Sequence, residues 1–376
     1  MGLHVLITGG AGFIGSHLAD LLLLRGHRVR VLDSLVSQVH GAARRAPSYL
    51  SVGVDLCVGD VREPKVVASA LQGIDCVVHL AALVGVGQSM YQIADYVDVN
   101  VRGTAVLLEA LAKRPVQRLV VASSMSVYGE GAYVDSDGRP SSAGTRPLAQ
   151  LRSGEWEPRS ASGRRLIPTA TTESKPPELA SVYALTKFDQ ERLSLVLGQA
   201  YSIPTVALRF FNVYGPRQAL SNPYTGVLAI FSSRLLNDEA PLLFEDGEQL
   251  RDFVSVHDVA QAILLSLESK DAVGQVINVG SGEPRSVLSV AHEIATVLGR
   301  DIAPEVTGKY RVGDIRHCFA DISRAQQLLG YQPQVTFREG LADLGRYLEA
   351  QALNGKIARD RALEARRELD ARGLTL

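Results

Sequence analysis

The chain has 376 residues, 46% of them hydrophobic and 21% charged, which is enough to bury a large core and long for a single compact unit. Its net charge of -1 argues against a nucleic-acid partner, because neutralising several phosphates needs a concentrated excess of Lys and Arg. The three cysteines, Cys57, Cys76 and Cys318, are odd in number and widely spaced, which fits neither a disulfide framework nor a metal-ligand pattern and points to a reducing compartment.

An apolar strand begins at once with Leu3-His4-Val5-Leu6-Ile7, so no basic-then-apolar leader is expected. The run Leu21-Leu22-Leu23-Leu24 is far too short to span a bilayer, and the expectation is a cytoplasmic protein. Apolar runs at 5–7, 29–32, 77–80 and 119–122, and later at 205–209, read as strands. Each of the first four is separated from the next by enough chain for a crossover helix, which predicts an α/β fold with a parallel, doubly wound sheet.

The first strand runs into Gly9-Gly10-Ala11-Gly12-Phe13-Ile14-Gly15, and the apolar stretch from His17 to Leu24 follows as a helix. In that setting Gly9 turns tightly, Gly12 lets backbone approach a pyrophosphate, and Gly15 lets helix and strand pack closely. Asp33 ends the next strand, where a carboxylate accepts hydrogen bonds from ribose hydroxyls and repels a 2'-phosphate, so NAD is favoured over NADP. Asp60 and Val61 offer an adenine contact or a helix cap.

The strand at 119–122 leads into Ser123 and Ser124, hydroxyls at the carboxyl edge of the sheet, where ligands of such folds bind. Residues 129–180 then break the rhythm with Ser, Pro, Arg, Thr and Gly; they read either as a flap over a site or as a decoration. The next helix carries Tyr183 and Lys187, whose spacing of four places phenol and ammonium on one face, so that the ammonium can favour the phenolate.

Beyond Asn212 the alternation weakens: helices are expected at 228–236 and 287–298, and a strand at 275–278. The expected organisation is a dinucleotide-binding domain from 1–211 and 251–274, with 129–180 inserted, and a smaller α/β substrate domain from 212–250 and 275–350. The tail at 351–376 is dense in Arg, Glu and Ala and reads as a solvated helix. Asp258, in Val256-His257-Asp258, suits a helix N-cap better than a catalytic base.

Taken in order, the glycine run, Asp33, His79-Leu80-Ala81-Ala82, Asn100, Ser123-Ser124, Tyr183 with Lys187, and Arg209-Phe210-Phe211-Asn212-Val213-Tyr214-Gly215-Pro216 resemble the extended short-chain dehydrogenase/reductase superfamily, the nucleotide-sugar epimerases and dehydratases. The likeness runs from about residue 3 to about residue 348. It implies a Rossmann domain holding NAD, a C-terminal domain gripping a nucleoside-diphosphate sugar (dTDP or UDP), and a homodimer made partly by the Tyr183 helix. By resemblance, Leu80, Ala81, Ala82 and Asn100 join the cofactor set. Asn212, Arg251, Arg311, Asp314, Met125 and Cys318 fall at substrate positions, and the residue at Cys318 gates the sugar pocket in hexose 4-epimerases.

In the 4,6-dehydratases an Asp-Glu pair follows the hydroxyl residue; Met125 and Ser126 stand there instead, which leaves 4-epimerisation through Ser124, Tyr183, Lys187 and NAD. Gly85-Val86-Gly87 would give the turning 4-keto sugar room. The segment at 209–227 and the long excursion look most like dTDP-L-rhamnose 4-epimerases, which make dTDP-6-deoxy-L-talose. A UDP-hexose or UDP-hexuronate 4-epimerase is the alternative, and a dehydratase or a non-enzymatic NAD sensor is further off.

Overall fold

A computed structural model describes residues 2–41, 43–218, 226–310 and 314–353. Its centre is a seven-stranded parallel sheet whose spatial order is Val276–Val279, Thr205–Phe210, Arg118–Ser124, Cys76–His79, His4–Thr8, Arg28–Asp33 and Val54–Val58. The central strands are buried on both faces and rich in Val, Leu and Ile, the composition that helix-covered parallel strands require. The order reverses between His4–Thr8 and Cys76–His79, and that crevice at the carboxyl ends of the strands is where doubly wound folds take their ligands.

One expectation is corrected by the pairing. The strand foreseen at 275–278 in the smaller domain is Val276–Val279, and it lies parallel to Thr205–Phe210 at the edge of the large sheet. Its apolar residues Ile277 and Val279 share one face of the strand and are fully buried in the core on that side of the sheet, so covering that face drew it there.

A second core forms around Tyr214, Phe231, Leu235, Phe253, Ile294, Phe337, Leu341 and Leu344. It is built by the helices Val227–Leu236, Val287–Val297 and Phe337–Leu353 over the strands Asn212–Tyr214 and Leu250–Ser255. The expected tail at 351–376 falls outside the described residues from 354 onward. Among the described residues no helix is long and apolar enough to cross a membrane.

The excursion at 129–180 is ordered. Ala132–Val134 pairs antiparallel with both Pro140–Ser141 and Ile167–Thr169, and a short helix covers Leu148–Arg152. Buried ion pairs tie it to the smaller domain: Arg146 to Glu245 at 2.8 Å, and Glu157 to Arg316 at 2.7 Å. Arg316 is 1% exposed and also pairs with Glu245 at 2.9 Å and Asp246 at 2.7 Å.

Candidate active site

The glycine turn is shaped by close approaches that a side chain would block. Gly9 has φ +70°, and a Cβ there would sit 2.9 Å from the backbone of Ala81; a Cβ on Gly15 would sit 2.5 Å from Gly10 Cα. Gly12 differs, because its Cβ would meet only the Gly9 carbonyl, at 3.2 Å. Its bareness clears the outer side of the turn. Gly12 is also the N-cap of the helix Phe13–Leu24 and supplies no side-chain cap, so the N-terminal N–H groups face the crevice. Asp33, 8% exposed, accepts the Ala11 N–H at 3.0 Å and the Leu35 N–H at 2.9 Å. His40, which no sequence signal marked, stands 3.7 Å from that carboxylate.

A cavity of about 480 Å³ opens over this turn. Gly9, Gly12, Phe13, Ile14, Gly15, Asp33, Asp60, Val61, Leu80, Ala81 and Ala82 line it at one end, and Ser124, Tyr183, Lys187 and Asn212 line it further in. Asp60 is held by Arg62, whose hydrogen bonds keep its carboxyl below the usual range. Asn100 does not line the cavity. It is fully buried in a π-helical turn, accepts the Leu83 N–H at 2.7 Å and donates to Thr186 Oγ at 3.0 Å, so it braces the cavity wall from behind.

Ser124 ends its strand and caps the short helix Met125–Tyr128, its Oγ accepting from Ser126 N at 3.2 Å and from Ser126 Oγ at 3.0 Å. With those lone pairs engaged, its proton is left for the Tyr183 oxygen, with which it shares a hydrogen bond. Ser126, which the sequence offered only as a missing carboxylate, thereby orients the catalytic hydroxyl. The Tyr183 helix, Val182–Ala200, starts at Ser181, whose side chain accepts the Ala184 N–H at 3.1 Å. Burial pushes the Tyr183 phenol up, and a hydrogen bond with Ser124 works against that rise. Burial pulls the Lys187 ammonium down to about 7, opposed by Glu191.

At the substrate end the structure separates residues that the sequence grouped. Asn212 lines the cavity, and its buried Oδ1 has no partner among the described residues. Met125 and Cys318 do not line it: both pack with Val127, Tyr128, Phe211 and Ala320 in a small core. Burial pushes the Cys318 thiol up to about 12, and its neighbour is the Thr171 hydroxyl at 3.9 Å. The gate expected at Cys318 is therefore a core position, because the ordered excursion covers it. Arg251 donates to the carbonyls of Leu250 and Arg316, both at 2.9 Å, and of Ile315. Asp314 is exposed, and its carbonyl accepts from Arg146 at 2.9 Å. Arg311 lies outside the described residues. Asp258 is corrected as well: Ser255 caps its helix, while Asp258 accepts the Gln334 N–H at 2.8 Å and the Val335 N–H at 3.2 Å.

Sequence reasoning missed Gln218, which lines the cavity at 7% exposure with Oε1 unpartnered among the described residues. Its nearness in sequence to the Tyr214-Gly215-Pro216 turn was the available signal.

Residues 5–280 match the model of the NAD dependent epimerase/dehydratase family. The chain belongs to that family. A dTDP-L-rhamnose 4-epimerase of Burkholderia thailandensis is 37% identical over 94% of this chain and 97% of its own length. A UDP-glucose 4-epimerase of Mycolicibacterium smegmatis is 33% identical over 90% of this chain and 96% of its own. Among solved structures, the UDP-glucuronic acid 4-epimerase of Bacillus cereus, in complex with UDP-glucuronic acid and NAD, superposes with a TM-score of 0.76 at 29% identity, covering 93% of this chain and 99% of that one. The chain is thus an NAD-dependent enzyme of the nucleotide-sugar epimerase kind.

The residues of this family member fit NAD on their own chemistry. A bare Gly12 beside an uncapped helix N-terminus suits a pyrophosphate, and the Asp33 carboxylate, held by two backbone N–H groups, suits a ribose diol and repels a 2'-phosphate.

Proposed function

We propose that this enzyme is a dTDP-L-rhamnose 4-epimerase, inverting C4 through a 4-keto sugar to give dTDP-6-deoxy-L-talose. The observation that carries 4-epimerisation is the convergence of Ser124, Tyr183 and Lys187 on a cavity with no carboxylate beside them. Among the described lining residues the only carboxylates are Asp33 and Asp60, both at the dinucleotide end. Eliminating water would need a further acid and base at the sugar.

Bound NAD supplies the acceptor and donor of the C4 hydride. Tyr183 Oη takes the O4 proton and later returns it, while Ser124 donates a hydrogen bond to the developing carbonyl oxygen. Lys187 holds positive charge near the phenol and favours its ionisation. Asn212 and Gln218 offer unpartnered amide oxygens to donors of the nucleotide sugar.

The rhamnose reading draws support from the Burkholderia relative and from the wall of the cavity. Val84, Val86, Phe210 and Phe211 are apolar, which suits a C6 methyl. A hexuronate carboxylate would want a free cation; of the described lining cations, Arg62 lies at the dinucleotide end, paired with Asp60 at 2.7 Å and Asp98 at 2.5 Å, and Lys187 is engaged beside Tyr183 and by Gln190 at 2.7 Å. Incubation with dTDP-L-rhamnose, UDP-glucose and UDP-glucuronate, with C4 stereochemistry followed by NMR, tests the reading: inversion of a UDP sugar alone would overturn it. The homodimer that the resemblance implies draws support from Leu185 and Val196 on the Tyr183 helix and from Ile93 and Val97, all exposed apolar side chains. Sedimentation as a monomer would overturn that part.

A further inference from the structure

Behind the cavity floor lies a polar cluster that the mechanism above does not use. Lys187 is 3% exposed, and its Nζ donates to Gln190 Oε1 at 2.7 Å, within the same helix. Gln190 is fully buried, and its Nε2 faces Thr104 Oγ at 2.8 Å and the Ala81 carbonyl at 3.4 Å. Thr104 gives its own proton to the Asn100 carbonyl at 2.5 Å, so its oxygen lone pairs are turned towards Gln190.

These contacts fix which way the carboxamide points. Reversed, it would set Oε1 against the Ala81 carbonyl and press its NH2 against the ammonium, leaving buried donors and acceptors unmatched. His79 packs on the same amide, with Nε2 at 3.1 Å from Gln190 Nε2 and Nδ1 at 2.7 Å from Thr8 Oγ. Complete burial pulls its pKa down to about 3, so it stays neutral; its Nε2 also lies 2.9 Å from Thr104 Oγ, and with Nε2 unprotonated it accepts from the amide and keeps it in that direction.

We infer that Gln190 is a positioning residue for Lys187: its carboxamide, clamped by Thr104 and Ala81, anchors one N–H of the ammonium and leaves the others directed at the cavity beside Tyr183. The inference rests on the proposed role of Tyr183 as the proton acceptor. A neutral anchor suits that role. A carboxylate in its place would satisfy the same N–H yet cancel the charge that favours the phenolate. Among the described residues the titratable groups around Lys187 are few: Tyr183 one turn earlier, neutral His79 behind Gln190, and Glu191 one residue beyond Gln190. Glu191 is already spent on Arg209 of the neighbouring strand at 2.7 Å and on the Ser123 hydroxyl at 2.7 Å.

Gln190→Glu and Gln190→Leu test this with two readouts. In the ligand-free protein, the Lys187 Nζ titration followed by NMR is expected near 7 in the wild type and at higher pH in Gln190→Glu. In turnover, the acid limb of kcat is expected to move to higher pH in Gln190→Glu. In Gln190→Leu, kcat falls about tenfold while KM for the nucleotide sugar changes less than about twofold, because one hydrogen bond to a charged group is removed. Titrations and acid limbs that overlay the wild type, with only a lowered melting temperature, would show the cluster to be structural and overturn the inference. Should Gln190→Leu not fold, Gln190→Glu keeps the side-chain shape and carries both measurements. Absence of any turnover by the wild type would sink the proposed function instead, and the ligand-free Nζ titration would still decide the role of Gln190.

Discussion

The dinucleotide end and the expected substrate end of the site are built in opposite ways. Gly9, Gly12 and Gly15 lie within one turn, and Asp33 is added by the neighbouring strand, so local geometry does most of the work. Around Arg251 and Asp314, where substrate contacts were expected, Arg146 and Glu157 of the excursion meet Glu245 and Arg316 across long sequence separations, outside the cavity lining. A motif of fixed spacing reports on a turn; it says little about a surface assembled from several distant segments. The contrast explains why all the cofactor residues expected from sequence except Asn100 line the cavity, whereas Cys318, Met125 and Arg251 do not.

Substitutions at the two ends should therefore fail differently. The largest effect is expected from Tyr183→Phe, which removes the proton acceptor without disturbing the turn. The turnover rate should drop by about 10³-fold, while NAD stays bound as judged by absorbance of the purified protein. Retention of full activity would remove Tyr183 from the mechanism.

Next comes Arg316→Met, which takes one cation from Glu245, Glu157 and Asp246 and leaves Arg146 to Glu245 and His317 to Glu157. Because those partners remain, the loss should fall below the about 3–5 kcal/mol of a fully uncompensated buried charge, and it is visible as a lowered denaturation midpoint and faster proteolysis within 129–180. NAD affinity should change little, because none of these groups lines the turn. A parallel loss of NAD binding would mean that the two ends are one cooperative unit.

A smaller effect concerns pH. Lys187 titrates near 7 when folded and near 10.4 when unfolded, so between those values the unfolded chain binds more protons. The stability of the ligand-free protein should consequently rise with pH across that window. Lys187→Met should flatten the rise, and chemical denaturation at pH 7 and pH 10 checks it. The smallest change is expected from Cys318→Ala: a loss of about 1 kcal/mol in stability from the trimmed core, with KM for the nucleotide sugar unaltered. A shift in sugar preference would restore Cys318 as a gate. Its thiol, held up near 12, should also resist alkylation in the folded protein at pH 8.

Some of the site was hidden by its own composition. The buried face of the Tyr183 helix carries Thr186, Lys187, Gln190, Glu191 and Ser194, all polar, so no apolar stripe announces that face as internal. Only the matching groups of other elements, Arg209, Ser123, Thr104 and Asn100, make its burial tolerable. Asp258 misled for a related reason, since an acid in a helix's first turn suits a cap whether or not a distant backbone claims it.

By itself the sequence determined the parallel sheet, the glycine turn, Asp33, and the facing of Tyr183 and Lys187. Strand burial, positive φ and helical spacing are properties of short stretches of chain. Tertiary structure alone decided that Val276–Val279 closes the edge of the large sheet, that the excursion is clamped by Arg316, and that Cys318 sits in a core. Those outcomes depend on which distant groups can satisfy a buried charge or cover an apolar face, and no local spacing encodes that choice.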